Sequence, residues 1–307
     1  MSTELIDAHR AYRDALLKQG VLISMGVDGL YGRSGAFEKV VDGINAAVSA
    51  LGDPDGPQVM RFPPGIGKWQ LEKSGYMKSF PQLVGTVHSF AGNDRDHRAL
   101  LETMEQDGDW TAGQKATQVA LTPAACYGVY PAVAARGPMK DTGALVDVLT
   151  YCFRHEPSID PARMQMFRQR EHVRIGTAEQ VLAFRELWMQ RGRTIIEQLA
   201  LPFDVDVAND PFFGRTGKML AASQREESLK FELLVPITSR ESPTACVSFN
   251  YHRDLFGEKW GLQTSTGAVA HTACVGFGLE RITLALFKHH GLDSAKWPTR
   301  VRDVLRL

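Results

Sequence analysis

The sequence predicts an α+β fold with a mainly antiparallel sheet flanked by helices. Three observations carry this expectation. Runs rich in β-branched residues outnumber the strand–helix alternation that a doubly wound sheet needs. Two such runs, 145–154 and 164–175, read as a strand pair joined by the loop His155-Glu-Pro-Ser-Ile-Asp-Pro-Ala-Arg163. Two longer stretches, 36–51 and 177–200, repeat their apolar residues at helical spacing.

In chain order, 4–19 reads as an amphipathic helix through Leu5, Ala8, Tyr12, Ala15 and Leu16. Gly26, Gly29, Gly32 and Gly35 punctuate a loop. The helix at 36–51 presents Phe37, Val40, Val41, Ile44, Val48 and Leu51 on one face, and Gly52-Asp-Pro-Asp-Gly-Pro stops it. Val59-Met-Arg-Phe is a strand that ends at Pro63-Pro64, because proline cannot donate within a ladder. Val84–Phe90 and Thr117–Thr122 are strands by composition. The helix at 177–200 carries Val181, Leu182, Phe184, Leu187, Trp188, Ile195, Ile196 and Leu199. Strands are expected near 229–237, 244–251 and 266–274, and a glycine-started helix at 276–290. No repeat, low-complexity stretch or linker divides the chain, so 1–307 is read as one domain.

Composition narrows the function. The 307 residues include 35 basic and 35 acidic side chains, for a formal net charge of zero, which argues against a generally nucleic-acid-seeking surface. No long apolar run suggests a membrane span. The N-terminus is polar, without the order of a signal peptide. Cys126, Cys152, Cys246 and Cys274 are too widely spaced to resemble a disulfide framework. A reduced, cytoplasmic protein is the expectation.

Two segments carry a mechanical logic. In Phe153-Arg-His-Glu156, Arg154 at a strand end can hold an α-phosphate, and Glu156, two residues on, points to the same side. It can accept from an adenine amino group or organise the loop. On the returning strand Phe167 can stack on a purine, and Glu171 shares its face. In Gly276-Phe-Gly-Leu-Glu-Arg281, glycines permit close ligand approach, and Arg281 in the first turns of a helix can reach a γ-phosphate. Cys126, Glu171 and Cys274 each lie in or beside such segments. Two thiolates and a carboxylate are zinc ligands by type, and three protein ligands leave a fourth position open.

These segments resemble motifs 2 and 3 of class II aminoacyl-tRNA synthetases, and 59–64 after the helix at 36–51 resembles motif 1. Seryl-tRNA synthetase is the nearest comparison: Leu71–Pro81, Leu121-Thr-Pro-Ala-Ala-Cys126, Arg240-Glu241 and His271-Thr272 fall in its order. The resemblance runs from about residue 30 onward. Only one short helix precedes the core, where ordinary seryl enzymes have a long tRNA-binding arm. The cysteines resemble the atypical zinc-dependent seryl type. Together these features are similar to the bacterial amino acid:[carrier protein] ligases, seryl-type cores without tRNA-binding parts.

That resemblance implies an ATP-dependent, AMP-forming ligase. It activates a small amino acid, glycine favoured and then alanine, and loads it on the phosphopantetheine thiol of a carrier protein. Cys126, Glu171 and Cys274 would bind one zinc per subunit, whose open position takes the substrate's amino group. Arg154 would hold the α-phosphate and Arg281 the pyrophosphate end. Glu156, Phe167 and the backbone at Arg163-Met164 would hold adenine. Glu241 would help bind magnesium and ATP, and Lys230 with the strand Ala245, Cys246, Val247 and Ser248 would line the pocket. An insertion at about 203–228, with Arg215, Lys218, Met219 and Arg225, would dock an acidic carrier-protein helix. Motif 1 implies a homodimer; tRNA and membrane are not expected partners.

Simpler readings stand beside these. A lone cysteine is usually a core residue; Cys152 is read so, and Cys246 in part. Glu280 is read as structural at its helix start. His155, His172, His252 and His271 have no paired metal spacing and are read as packing or hydrogen-bonding residues. The segment 209–225 also fits a solvated surface helix. A compact aminoacyl-tRNA synthetase is the alternative enzyme. A catalytically dead regulatory relative would have lost Arg154, Glu156 or Arg281, and all three are present.

Overall fold

Helix Gly35–Gly52 starts where Ser34 accepts a hydrogen bond from the Phe37 N–H at 3.2 Å. It buries Phe37, Val40, Val41, Ile44 and Val48, the face expected from their spacing. Helix Ala178–Gln198 begins in a capping box formed by Thr177 and Gln180 and buries Val181, Phe184, Trp188, Ile195 and Ile196. These two helices and Leu279–His290 pack into one large apolar core with the inner face of a sheet. The structure is a computed structural model that describes residues 2–307.

The sheet has seven strands in the order Gln58–Arg61, Ala144–Phe153, Met166–Gly176, His271–Gly278, Thr244–Arg253, Lys230–Val235 and Asp204–Val207. Only the first pair is parallel; every other neighbour is antiparallel. The mainly antiparallel α+β expectation is met. A three-stranded sheet of Gly65–Gly67, Gln114–Leu121 and Thr86–Phe90 is built from the chain between Arg61 and Ala144. Among the described residues no helix is long and apolar enough to cross a membrane.

The structure corrects several boundaries. The glycine-rich loop after the first helix, Thr3–Lys18, contains a small hairpin of Leu22–Ser24 and Tyr31–Arg33. The strand expected at 266–274 runs His271–Gly278, and the helix begins at Leu279 instead of 276. The ladder claims the glycines: Gly276 pairs with Glu171 and Gly278 with Gln169. Helix Asp94–Glu105 has no buried residue, so it gives no core-facing stripe to read. Asp204–Val207, inside the segment expected to be an insertion, is the edge strand of the large sheet. Helix Gly214–Glu226 follows it.

Candidate active site

Side chains alternate across a strand, so every second residue of four adjacent strands faces the same way. On the face opposite the large core this brings together Gln169 and Glu171, Cys274 with Gly276 and Gly278, Ser248 and Asn250, and Lys230 and Glu232. They form the floor of a cavity of about 610 Å³. The two glycines keep that floor low. A Cβ on Gly276 would stand 3.2 Å from Gln169 Nε2 and 3.3 Å from Ser248 Oγ. The cavity wall comes from the turn Ala125–Gly128, the strand end at Arg154, and Arg281 on the helix start.

At the centre lie Cys126, Glu171 and Cys274. All are buried, and one ligand atom from each lies within 4.8 Å of the others. Ligands at about 2.0–2.3 Å from one tetrahedral zinc would be roughly 3.5 Å apart, so small adjustments close this set on an ion. Glu171 Oε1 accepts from the Ala125 N–H at 3.0 Å and the Cys126 N–H at 3.4 Å. Its Oε2 is buried without a hydrogen-bond partner. Burial pushes the Glu171 carboxyl up. The Cys126 sulfur and then burial push the Cys274 thiol well up. The hydrogen bond with Cys274 pulls Cys126 down, but burial and Glu171 outweigh it. Three acidic groups are therefore packed together and resist ionising. A divalent cation reverses that balance, and the orphaned oxygen supplies a ready ligand. The residues fit a zinc ion.

The far end of the cavity is cationic. Arg154 donates through Nε to the Pro123 carbonyl at 3.2 Å, and its guanidinium stands 5.5 Å from the Phe167 ring centre. Arg281 donates through Nε and Nη1 to the carbonyls of Ala162 and Ala245, both at 3.0 Å. Burial lowers the Arg281 pKa, and the charges of Arg154 and Arg163 act in the same direction. The guanidiniums of Arg154 and Arg281, both in the cavity lining, make this end suited to a polyanion.

Arg281 is set by its neighbour. Glu280, 2% exposed, accepts from the Arg168 N–H at 2.7 Å and from Arg168 Nε at 2.8 Å, with Arg33 at 3.3 Å. The rest of the Arg168 fork holds Glu38 of helix Gly35–Gly52. Glu280 makes the structural contacts expected of it, which tie three sequence segments to one helix start, and it also lines the cavity.

Cys126, Arg154, Glu156, Met164, Phe167, Glu171, Lys230, Ala245, Cys246, Val247, Ser248, Cys274 and Arg281 all line the one cavity. Arg163 stands just outside the lining, 3.1 Å from Glu156. Glu241 is not among them: it lies on an exposed bend outside the lining, where its carboxylate accepts from Ser239 Oγ at 2.8 Å. A carboxylate that does line the cavity is Glu232, 3.0 Å from Lys230 Nζ. Its signal was present in the sequence, two residues after Lys230 on one strand. Arg215, Lys218, Met219 and Arg225 are exposed on helix Gly214–Glu226 and do not reach the cavity, whereas Leu220, Ser223 and Gln224 of that helix do. Asp210 was also missed; it receives Lys230 Nζ at 2.6 Å and Gln224 Nε2 at 2.9 Å. His252, read as packing, also lines the cavity.

The architecture and the cavity define the class. The seryl-tRNA synthetase of M. kandleri, solved with A. aeolicus tRNASec, superposes with a TM-score of 0.80 at 18% identity, over 96% of this chain and 60% of that one. That of Naegleria fowleri, solved with AMP, gives 0.70 at 12% identity, over 96% and 66%. The fold is that of a class II aminoacyl-tRNA synthetase, and the chain spans about 60% of the first of these proteins. No protein-family model matches the sequence. Two proteins of Bradyrhizobium diazoefficiens, amino acid–[acyl-carrier-protein] ligases 1 and 2, are 49% and 50% identical over 284 and 291 residues. The alignments cover 92% and 95% of this chain, and 87% of each relative. The type-2 serine–tRNA ligase of Methanopyrus kandleri is 28% identical over 46% of the chain. The chain belongs to the amino acid–[acyl-carrier-protein] ligase family and is an enzyme of that class.

Proposed function

We propose that this enzyme activates a small amino acid with ATP and transfers it to the phosphopantetheine thiol of a carrier protein. The observation that carries this reading is one cavity with a soft-metal ligand set at its centre and guanidiniums at its far end. The amino acid's carboxylate attacks the α-phosphorus, and pyrophosphate leaves to give an aminoacyl adenylate. The carrier thiol then attacks the activated carbonyl, and AMP leaves.

Cys126, Glu171 and Cys274 would hold a zinc ion, which would supply Lewis-acid binding of the substrate's amino group. Arg154 binds the α-phosphate and steadies charge that develops there. Arg281 takes the pyrophosphate end, Phe167 stacks on adenine, and Glu156 and the backbone at Arg163 and Met164 complete the adenine site. Magnesium accompanies ATP. Glu232, lining the cavity near Lys230, is better placed than Glu241 to serve the phosphate end. No protein nucleophile is needed for the first step, because well-oriented reactants alone contribute about 7–11 kcal/mol. Glycine is the favoured substrate, then alanine.

The exposed cations and Met219 of helix Gly214–Glu226 form the docking face for an acidic carrier helix. The active form is a cytoplasmic homodimer. The test is ATP–pyrophosphate exchange over a panel of small amino acids, followed by transfer to phosphopantetheinylated carrier or to tRNA. Exchange and carrier loading are expected. No exchange with any amino acid refutes the reading, and charging of tRNA instead of carrier replaces it with the synthetase alternative.

A further inference from the structure

The metal-ligating cysteine Cys274 has neighbours that no part of the reaction above uses. Strand Thr244–Arg253 runs beside strand His271–Gly278, and Asn250 lies directly opposite Cys274. Its Nδ2 is 3.5 Å from the Cys274 sulfur. Two residues later the ladder breaks. Tyr251 faces Ala273 and Arg253 faces Thr272, so His252 has no partner across the strand. Arg253 takes a left-handed φ of 54° at that point. This is a β-bulge.

His252, two residues beyond Asn250 and on the same face of the strand, approaches the same sulfur. Its Nε2 lies 3.8 Å from Cys274 Sγ, and its Nδ1 lies 3.1 Å from Thr272 Oγ1. Phe256 packs on the ring with centres 5.1 Å apart, and Tyr130 at 6.4 Å. The imidazole is held at both ends with little freedom to swing.

We infer that Asn250 and His252 are positioning residues for the metal centre, donating N–H bonds to the Cys274 thiolate and so retaining the ion. The inference rests on the zinc reading of Cys126, Glu171 and Cys274. The tautomer required is the one in which Thr272 Oγ1 donates to Nδ1, 3.1 Å away, and the proton sits on Nε2, 3.8 Å from the sulfur. His252 is not itself a ligand. Four ligands of one ion must all be mutual neighbours, and the mutually close set contains only the two cysteines and Glu171. The reason for donors is charge: two thiolates and one carboxylate place three negative charges around a dication. Little of the excess is solvated at the sulfur, because Cys274 is 5% exposed. Amide and imidazole N–H groups spread that charge, and removing such outer partners typically weakens metal binding about 10- to 100-fold.

The test uses the full-length protein with zinc or cobalt(II) alone. Zinc dissociation constants come from competition with a chromophoric chelator for the parent, His252→Ala, His252→Gln and Asn250→Ala. The cobalt(II) absorption spectrum reports the ligand set. We expect His252→Ala and Asn250→Ala to weaken zinc about 10- to 100-fold. His252→Gln, whose amide can reach the position of Nε2, should stay within a few-fold of the parent. The cobalt d–d bands should keep their form throughout. Circular dichroism of the metal-loaded proteins shows that each variant is folded; if His252→Ala is not, Asn250→Ala and His252→Gln carry the test. Unchanged zinc affinity in folded His252→Ala and Asn250→Ala overturns the inference. A changed cobalt coordination spectrum on losing His252 overturns it too, by making the histidine a ligand. A parent protein that binds no zinc removes the metal reading itself, a result distinct from either.

Discussion

Replacing Arg168 by methionine removes the guanidinium that joins Glu280 to Glu38 while keeping an apolar stem of similar reach. Glu280 is 2% exposed, and its carboxylate would lose the Nε bond at 2.8 Å together with its nearest countercharge. It would keep the Arg168 backbone N–H at 2.7 Å and Arg33 at 3.3 Å. Breaking a buried pair by removing one partner costs about 3–5 kcal/mol, and the two surviving contacts place this case near 3 kcal/mol. Glu38 is 39% exposed, so water compensates most of its loss. Unfolding entropy of about 2.1 cal/mol/K per residue gives roughly 0.6 kcal/mol/K for this chain, so the melting midpoint should fall by about 5 °C. The functional readout is separate. Glu280 precedes Arg281, so the KM for ATP in pyrophosphate exchange should rise more than the KM for the amino acid. Calorimetry and exchange kinetics check both parts. A second variant, Glu280→Gln combined with Arg168→Met, should recover part of the stability, because the buried carboxylate is then gone and Arg33 keeps its bond to the Met166 carbonyl. A midpoint within about 1 °C of the parent, or a double variant as unstable as the sum of the singles, would refute the clamp.

Cys126→Ala and Cys274→Ala should each lose bound metal and amino-acid activation together; a metal-free but fully active variant would overturn the zinc assignment. Burial pushes the His172 pKa down to about 4, with its ring packed 4.3 Å from Trp188. The unfolded chain then binds the extra proton between roughly pH 6.5 and 4. Stability should therefore fall on acidification through that window, by about 3 kcal/mol for this group, and be unaffected by it above pH 7. Urea midpoints across that range check the sign, and His172→Gln should flatten the curve. Reversing Arg215, Lys218 and Arg225 to glutamate should slow carrier loading on the order of tenfold at low salt, an effect that shrinks as salt rises. Pyrophosphate exchange should change much less; equal loss in both assays would argue against docking on this helix.

Much of the site was legible because its residues sit in short segments with local logic. Arg154 follows the end of one strand, Phe167 and Glu171 share a face of the next, and Arg281 lies in the first turn of a helix. These relations depend on where a strand ends, on its alternation or on a helix start, whereas Glu156 lies in a tight turn beyond Phe153, where alternation no longer holds. The helices at 36–51 and 177–200 were legible for the same reason. Elements with no buried stripe were not, as helix Asp94–Glu105 shows. The glycines at 276 and 278 were read as helix openers, and neighbouring strands made them ladder residues.

The sequence by itself determined which chemistry is available: two cysteines and a glutamate for a soft metal, guanidiniums for phosphate, and a mainly antiparallel sheet to carry them. It could not decide which carboxylate faces the cavity, because Glu232 and Glu241 differ in where their backbones run and not in kind. Alternation puts His252 on the face of Ser248 and Asn250, but the sequence could not show that this face brings its ring to Cys274. Such choices are made by register, bulges and packing across strands distant in sequence, and only the tertiary structure contains them.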